Sequence, residues 1–219
     1  MRLRQKLYFT AALVILVIFL GAMSMREQEK NKMLVFPESL EKVVAVVDDE
    51  ELKLKDMAFY IAYQEGKIED EARIYNPDNT DEYWWVRTNH TFVRSEGKTL
   101  ALEMAIHDEI FYRMAVAEGV ELTEEEEAHL ANDQYDFWSD LEDGQKETLG
   151  VEKEVIDESM RKIAIAEKYQ YLWAEMNGDS YEEYALSGQE YKDLVKTHVC
   201  QIEETVWDKV DFGGITVNH

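Results

Sequence analysis

Residues 98–119 read KTLALEMAIHDEIFYRMAVAEG, and this stretch decides the fold. Leu100, Leu102, Met104, Ile106, Ile110, Phe111, Met114 and Val116 fall on most sides of a helix, so the predicted helix over 98–118 has no broad polar face to offer water. Such a helix belongs at the centre of a helical domain. Gly119 supplies a residue suited to the left-handed stop after it. Next, Thr123 and Glu126 have the spacing of a capping box and open an acidic helix. Leu130, Gln134, Phe137 and Leu141 share one stripe of that helix, with Tyr135 and Trp138 beside them. Gly144 and Gly150 bracket a connector. Val155, Ile156, Met160, Ile163, Ala164, Tyr171 and Trp173 then build a long helix ended by Asn177-Gly178, and Ser180 with Glu183 marks one more helical start. The remainder, 191–219, mixes short helix with extended residues.

Upstream, Val43-Val44-Ala45-Val46-Val47 is a β-branched run closed by the acidic turn Asp48-Asp49-Glu50-Glu51, the best strand in the sequence. Leu54, Met57, Ala58, Ile61, Ile68 and Ala72 recur near helical spacing, a helix expected to weaken at Gly66. Residues 75–81 (YNPDNTD) read as a loop, because Pro77 disfavours helix at Asn76 and the Asn and Asp side chains compete for backbone donors.

At the N-terminus, Arg2, Arg4 and Lys6 precede an uncharged apolar run over 7–25. A helix of that length nearly spans a hydrocarbon core of about 30 Å. The preceding cations hold the N-terminus in the cytoplasm and place the residues after the run on the far side of the membrane. Ala22-Met23-Ser24 loosely imitates a processing site, so a cleaved signal peptide is the competing reading. Either reading exports the chain. The whole sequence carries a formal charge of −24; without Arg2, Arg4 and Lys6, 20 basic residues face 47 acidic ones, or −27. That surface repels nucleic acid and anionic headgroups, which excludes both as partners. Cys200 is the single cysteine, so stability comes from the core and not from a disulfide within the chain.

Motifs for catalysis are few. His90, His107, His129, His198 and His219 lie outside metal-ligand spacing of one another, and His107 reads as a core or boundary histidine. The acid-rich loop 76–82 lacks the glycine and final glutamate of an EF-hand. Asp211-Phe212-Gly213 copies the kinase metal motif without the other kinase motifs. No catalytic residue, metal ligand or cofactor is expected. The aromatics are the candidate client-binding residues: Tyr83, Trp84, Trp85 and Phe92, where a loop meets the central helix, and Trp138 and Trp173 later. They form either core or an apolar groove for unfolded segments.

Two stretches resemble the SurA/PrsA group of extracytoplasmic foldases. Val43-Val44-Ala45-Val46-Val47 is similar to that family's "VVAxVNGxxIT" strand and turn, with Asp48-Asp49-Glu50 in place of Asn-Gly. Ala115-Val116-Ala117-Glu118-Gly119-Val120-Glu121-Leu122-Thr123-Glu124-Glu125-Glu126 is similar to its "A...GI.vT.eEi" junction. The likeness extends over 43–177. It implies a chaperone-like module held outside a bacterial membrane. The parvulin-type isomerase domain common in the family has no counterpart here, and neither does the lipoprotein cysteine.

The expectations are therefore a mostly α, SurA N-terminal-domain-like helical ectodomain with one or two short strands. The boundaries are 1–26 for a transmembrane anchor or signal peptide, 27–42 for a tether, 43–178 for the helical domain, and 179–219 for a C-terminal segment packing on it. The expected function is membrane-anchored, extracytoplasmic and non-enzymatic binding of unfolded or exported polypeptides, without isomerase activity. The first alternative is a subunit that recognises one specific folded partner at the cell surface. The second is an enzyme, which a pocketed cluster of His, Asp and Glu would support.

Overall fold

A β-hairpin forms where the valine run meets the acidic turn. Strand β1 (Val43–Val47) pairs antiparallel with β2 (Glu50–Lys53), and Asp48 turns the corner with a positive φ of 56°. Aspartate tolerates that conformation when its short side chain finds a local partner. Here the carboxylate accepts from the Val199 N–H and meets His198 Nδ1, each at 2.9 Å. These bonds tie the hairpin corner to the approach of β5 (Cys200–Ile202), which pairs with the free side of β1 and gives the sheet order β2-β1-β5. Val44, Ala45 and Val47 of the central strand are fully buried.

The computed structural model describes residues 32–88 and 90–217, and the residues from Val35 onward form one compact unit. Helix α1 (Ala58–Tyr75) runs through Gly66 without a break, because the glycine lies in open space on a helix whose other side buries Ile61, Ile68 and Ala72. A short helix α2 (Asp81–Trp84) and a two-residue hairpin, β3 (Arg87–Thr88) with β4 (Thr91–Phe92), lead into α3 (Val93–Ala117). Helix α3 is the predicted central helix. It buries Ala101, Leu102, Ala105, Ile106, Ile110, Phe111 and Ala115, and packs on both α1 and α6 (Lys153–Asn177). It begins earlier than residue 98 because Gly97 admits close neighbours on its polar first turns. A Cβ there would stand 2.4 Å from Ile68 Cδ1.

Helix α4 (Glu124–Asp140) opens on the expected capping box, with both reciprocal Thr123–Glu126 bonds made. The connector between Gly144 and Gly150 is itself a helix, α5 (Asp143–Leu149). Helix α6 ends at Gly178 in the left-handed region. Two short helices, α7 (Gln189–Leu194) and α8 (Glu204–Trp207), follow a 3-10 turn at Tyr181–Tyr184. The last described residues bury Val210, Phe212, Ile215 and Val217. Their backbone is clasped by the fully buried Glu65 of α1, whose carboxylate accepts from Gly213 N, Thr216 N and Thr216 Oγ1 at 2.5, 2.5 and 2.6 Å.

The protein is mostly helical, but besides the unbroken helix at Gly66 and the helical connector, two further expectations need correction. Five short strands among the described residues replace the one or two expected. Among the described residues no helix is long and apolar enough to cross a membrane. Even α3, the most apolar by sequence, carries Arg94, Glu96, Lys98, Glu103, Asp108, Glu109 and Arg113 within its length. The expectation of a transmembrane helix, and with it of a single-pass membrane location, is corrected accordingly. The 7–25 run on which it rested lies outside the described residues.

Candidate functional site

Helix α4 buries only Leu130 completely, so most of its surface is left uncovered. Helix α6 packs its buried stripe, including Ile156, Ile165, Ala166 and Tyr169, toward the core and carries Ala164, Tyr171 and Leu172 off to one side. Between the two helices lies a groove of about 790 Å³, floored by Leu122, Leu130, Ala164, Leu172 and Ala174. Tyr171 is 56 % exposed and stacks on Tyr181 with ring centroids 4.0 Å apart, forming one wall. A second hollow of about 290 Å³ shares Leu172 and adds Val120 and Met176. The apolar surface is thus continuous around the C-terminal part of α6. It is the concavity, with an apolar floor and a few polar groups at its edge, that makes this a candidate binding surface.

The rim is acidic. Glu126, Asp133, Glu167, Glu175 and Asp179 border the groove, and among the described residues lining it Lys168 is the one lysine or arginine. Lys168 is committed: its ammonium donates to Glu126 at 2.6 Å and to the Glu121 carbonyl at 3.0 Å. That bond from Lys168, joined by the Thr123 cap, pulls the Glu126 carboxyl down to about 2. The remaining rim carboxylates carry the net negative field. Burial, then Glu167, push the Tyr181 phenol up to about 12, so the groove wall stays neutral and able to donate near neutral pH.

None of the six aromatic residues singled out in the sequence lines this groove. Trp84 is 1 % exposed, tilted against Phe212 at 6.1 Å, with Gly213 pressed on its ring. It is core, which corrects its reading as a binding residue. The reason is its place on the buried side of α2, facing the returning C-terminal segment. Its neighbour Trp85 is 57 % exposed and lies edge-on to Phe92 at 5.9 Å. Arg94 covers the Trp85 ring at 5.4 Å and Arg87 the Phe92 ring at 4.8 Å, so both rings already have cationic partners. Tyr83 donates its hydroxyl to Glu71 at 2.8 Å. Trp138 lies half-buried on α4 under the Lys146 ammonium, and Trp173 half-buried on α6 beside Tyr169. Tyr83, Trp85 and Phe92 stay near one another around the β3–β4 hairpin, whereas Trp138 and Trp173 sit on other elements.

The groove residues were present in the sequence under a different signal. Tyr171-Leu172-Trp173 places three large apolar side chains in succession on a helix. At about 100° per residue they cannot all face one core. Tyr171 and Leu172 are the two that face outward, and Trp173 is half-buried.

The candidates for chemistry are occupied by structure. His107 meets Asp108 through Nδ1 at 2.8 Å and the Tyr184 carbonyl through Nε2 at 3.0 Å. Within Asp211-Phe212-Gly213, Phe212 is core and Asp211 pairs with Arg94. Among the described residues no three His, Cys, Asp or Glu side chains are grouped to hold a metal ion. No protein-family model, no curated protein and no solved structure matches the chain.

Proposed function

We propose that the protein is a non-enzymatic, chaperone-like binder of unfolded polypeptide, and that the α4–α6 groove takes apolar client side chains flanked by Lys or Arg. The observation that carries this reading is the apolar floor of the groove inside an acidic rim. A concave floor accepts side chains of varied shape, and the rim favours basic flanks and steers their approach. With no nucleotide-binding loop in the sequence, holding is passive: the groove lowers the free concentration of the unfolded client by mass action. The resemblance of the β1–β2 hairpin and the 115–126 junction to the SurA/PrsA foldases supports the same reading.

Tyr171→Ser combined with Leu172→Asp tests it. Both side chains are substantially exposed, so the double variant should fold with nearly unchanged stability. Each apolar anchor contributes about 1.5–3 kcal/mol when buried by a client, so the concentration needed to suppress aggregation should rise about tenfold or more. Reduced lysozyme, a basic client, should be protected better than reduced α-lactalbumin, an acidic one, and the difference should shrink as salt is added. Protection unchanged in the folded double variant removes the groove from the reading. No protection of either client by the unmodified protein overturns the reading itself and leaves the single-partner subunit in its place.

A further inference from the structure

Away from the groove, a cavity of about 340 Å³ opens between β2, α1, α3 and α6. Glu109 of α3 lines it with only 5 % of its side chain exposed. Among the described residues its one polar contact is the Lys162 ammonium at 3.8 Å, beyond hydrogen-bond distance. Its oxygens are nevertheless open to the cavity, since no buried side-chain oxygen of the described residues lacks a partner. A carboxylate this withdrawn from water without a hydrogen bond is costly unless a donor reaches it.

The surrounding charges point the same way. Asp108 is engaged by Tyr60 and His107, and Asp56 by the Lys53 N–H. Glu51 and Glu158 stand exposed at the edge. Lys53 and Lys55 also line the cavity, but both send their ammonium groups to Glu41, at 2.9 and 2.8 Å. The same Lys162 ammonium that faces Glu109 also lies over the Tyr112 ring, 5.3 Å from its centroid. Burial holds the Glu109 carboxyl above its ordinary value; the Lys162 and Arg113 cations pull against that, and repulsion from Glu50 and Asp56 adds to it. A bare metal ion fits poorly, because among the described residues no three ligands converge. A ligand with its own hydrogen-bond donors and an aliphatic stem fits well beside Leu52, Ala105 and Val155.

We infer that this cavity binds a primary alkylammonium group, with Glu109 as the buried counter-ion and Glu51 and Glu158 receiving a second positive charge at the mouth. A free diamine and a lysine side chain of a polypeptide share that chemistry. The site is separate from the α4–α6 groove and does not depend on the function proposed for it.

Titration calorimetry on the full chain tests the inference, with 1,4-diaminobutane as the free amine and Nα-acetyl-lysinamide as the side-chain surrogate. Saturable binding of either is expected, and the tighter of the two identifies the source. Glu109→Gln should weaken it about tenfold or more, as loss of a charge-assisted bond does. That variant removes a buried charge and should stay folded, which far-UV circular dichroism checks. Lys162→Met removes the competing ammonium and should tighten binding severalfold. Glu147→Gln, an exposed change of equal charge on α5, should leave binding unaltered. Binding that is absent, equal in Glu109→Gln and the unmodified protein, or equally weakened by Glu147→Gln overturns the site. So does equally tight, Glu109-dependent uptake of Ca²⁺.

Discussion

Trp84→Ala is expected to destabilise the protein by about 3–5 kcal/mol, the range for deleting a large aromatic side chain from a core. Trp85→Ala, one residue on, should cost about 1 kcal/mol or less. The difference comes from burial. The Trp84 ring is enclosed by Phe212 and the Gly213 backbone, and its indole N–H donates to Glu69 at 3.3 Å. Alanine leaves a void between α2 and the C-terminal segment that neither can close. Trp85 loses only an edge contact with Phe92 and a cation–π contact with Arg94, both at the surface. Urea unfolding followed by far-UV circular dichroism measures both variants. A Trp84→Ala loss below about 1 kcal/mol, or a Trp85→Ala loss as large as that of Trp84→Ala, would contradict this division.

A second large effect is expected at Glu65. Glu65→Ala orphans the Gly213 and Thr216 N–H groups and the Thr216 hydroxyl together. Unsatisfied buried donors cost about 1–3 kcal/mol each, so a loss of about 3 kcal/mol or more should result. Hydrogen exchange should place the damage first at 210–217, because the orphaned amides belong to that segment. Glu65→Gln keeps one oxygen acceptor and should fall between the two. The pH dependence has a definite sign. Burial raises the Glu65 carboxyl above its ordinary value of 4.5, against the opposing pull of its hydrogen bonds. Between the ordinary and the raised value, the folded protein holds a proton that the unfolded chain has released. This group's contribution is therefore full below the ordinary value and declines as pH rises through the raised one. The stability difference between the unmodified protein and Glu65→Gln should shrink as pH is raised from about 4 upward. A difference that grows with pH would show that the hydrogen bonds outweigh burial.

The elements legible in the sequence were those whose causes are local. The valine run before an acidic turn made β1, the Thr123–Glu126 pair made the start of α4, and Gly119 and Gly178 took the left-handed conformations that stop α3 and α6. Each depends on a few neighbouring residues and on backbone sterics. Gly66 and the start of α3 were harder to read. Glycine weakens a helix only by a modest amount, which packing overrides. The helix boundary at Val93 depends on Ile68 and Phe212 approaching Gly97, contacts between residues distant in the chain.

The placement of the functional candidates required those distant contacts still more. Composition gave the acidic surface, the lack of a disulfide within the chain and enough apolar and aromatic residues for a core, because charge and hydrophobicity sum over residues without regard to order in space. Whether a given tryptophan is core or surface does not sum in that way. Trp84 and Trp85 are adjacent and chemically identical, yet the first meets Phe212 and the second meets solvent and Arg94. Only the tertiary structure brings the 210–217 segment back onto α1 and α2, adds β5 to the edge of β1 and leaves α4 partly uncovered beside Tyr171 and Leu172. Sequence by itself determined the long helices, though not all of their boundaries, and the sign of the surface, through interactions within a few residues. The return of the chain over long separations decided which apolar side chains remained exposed.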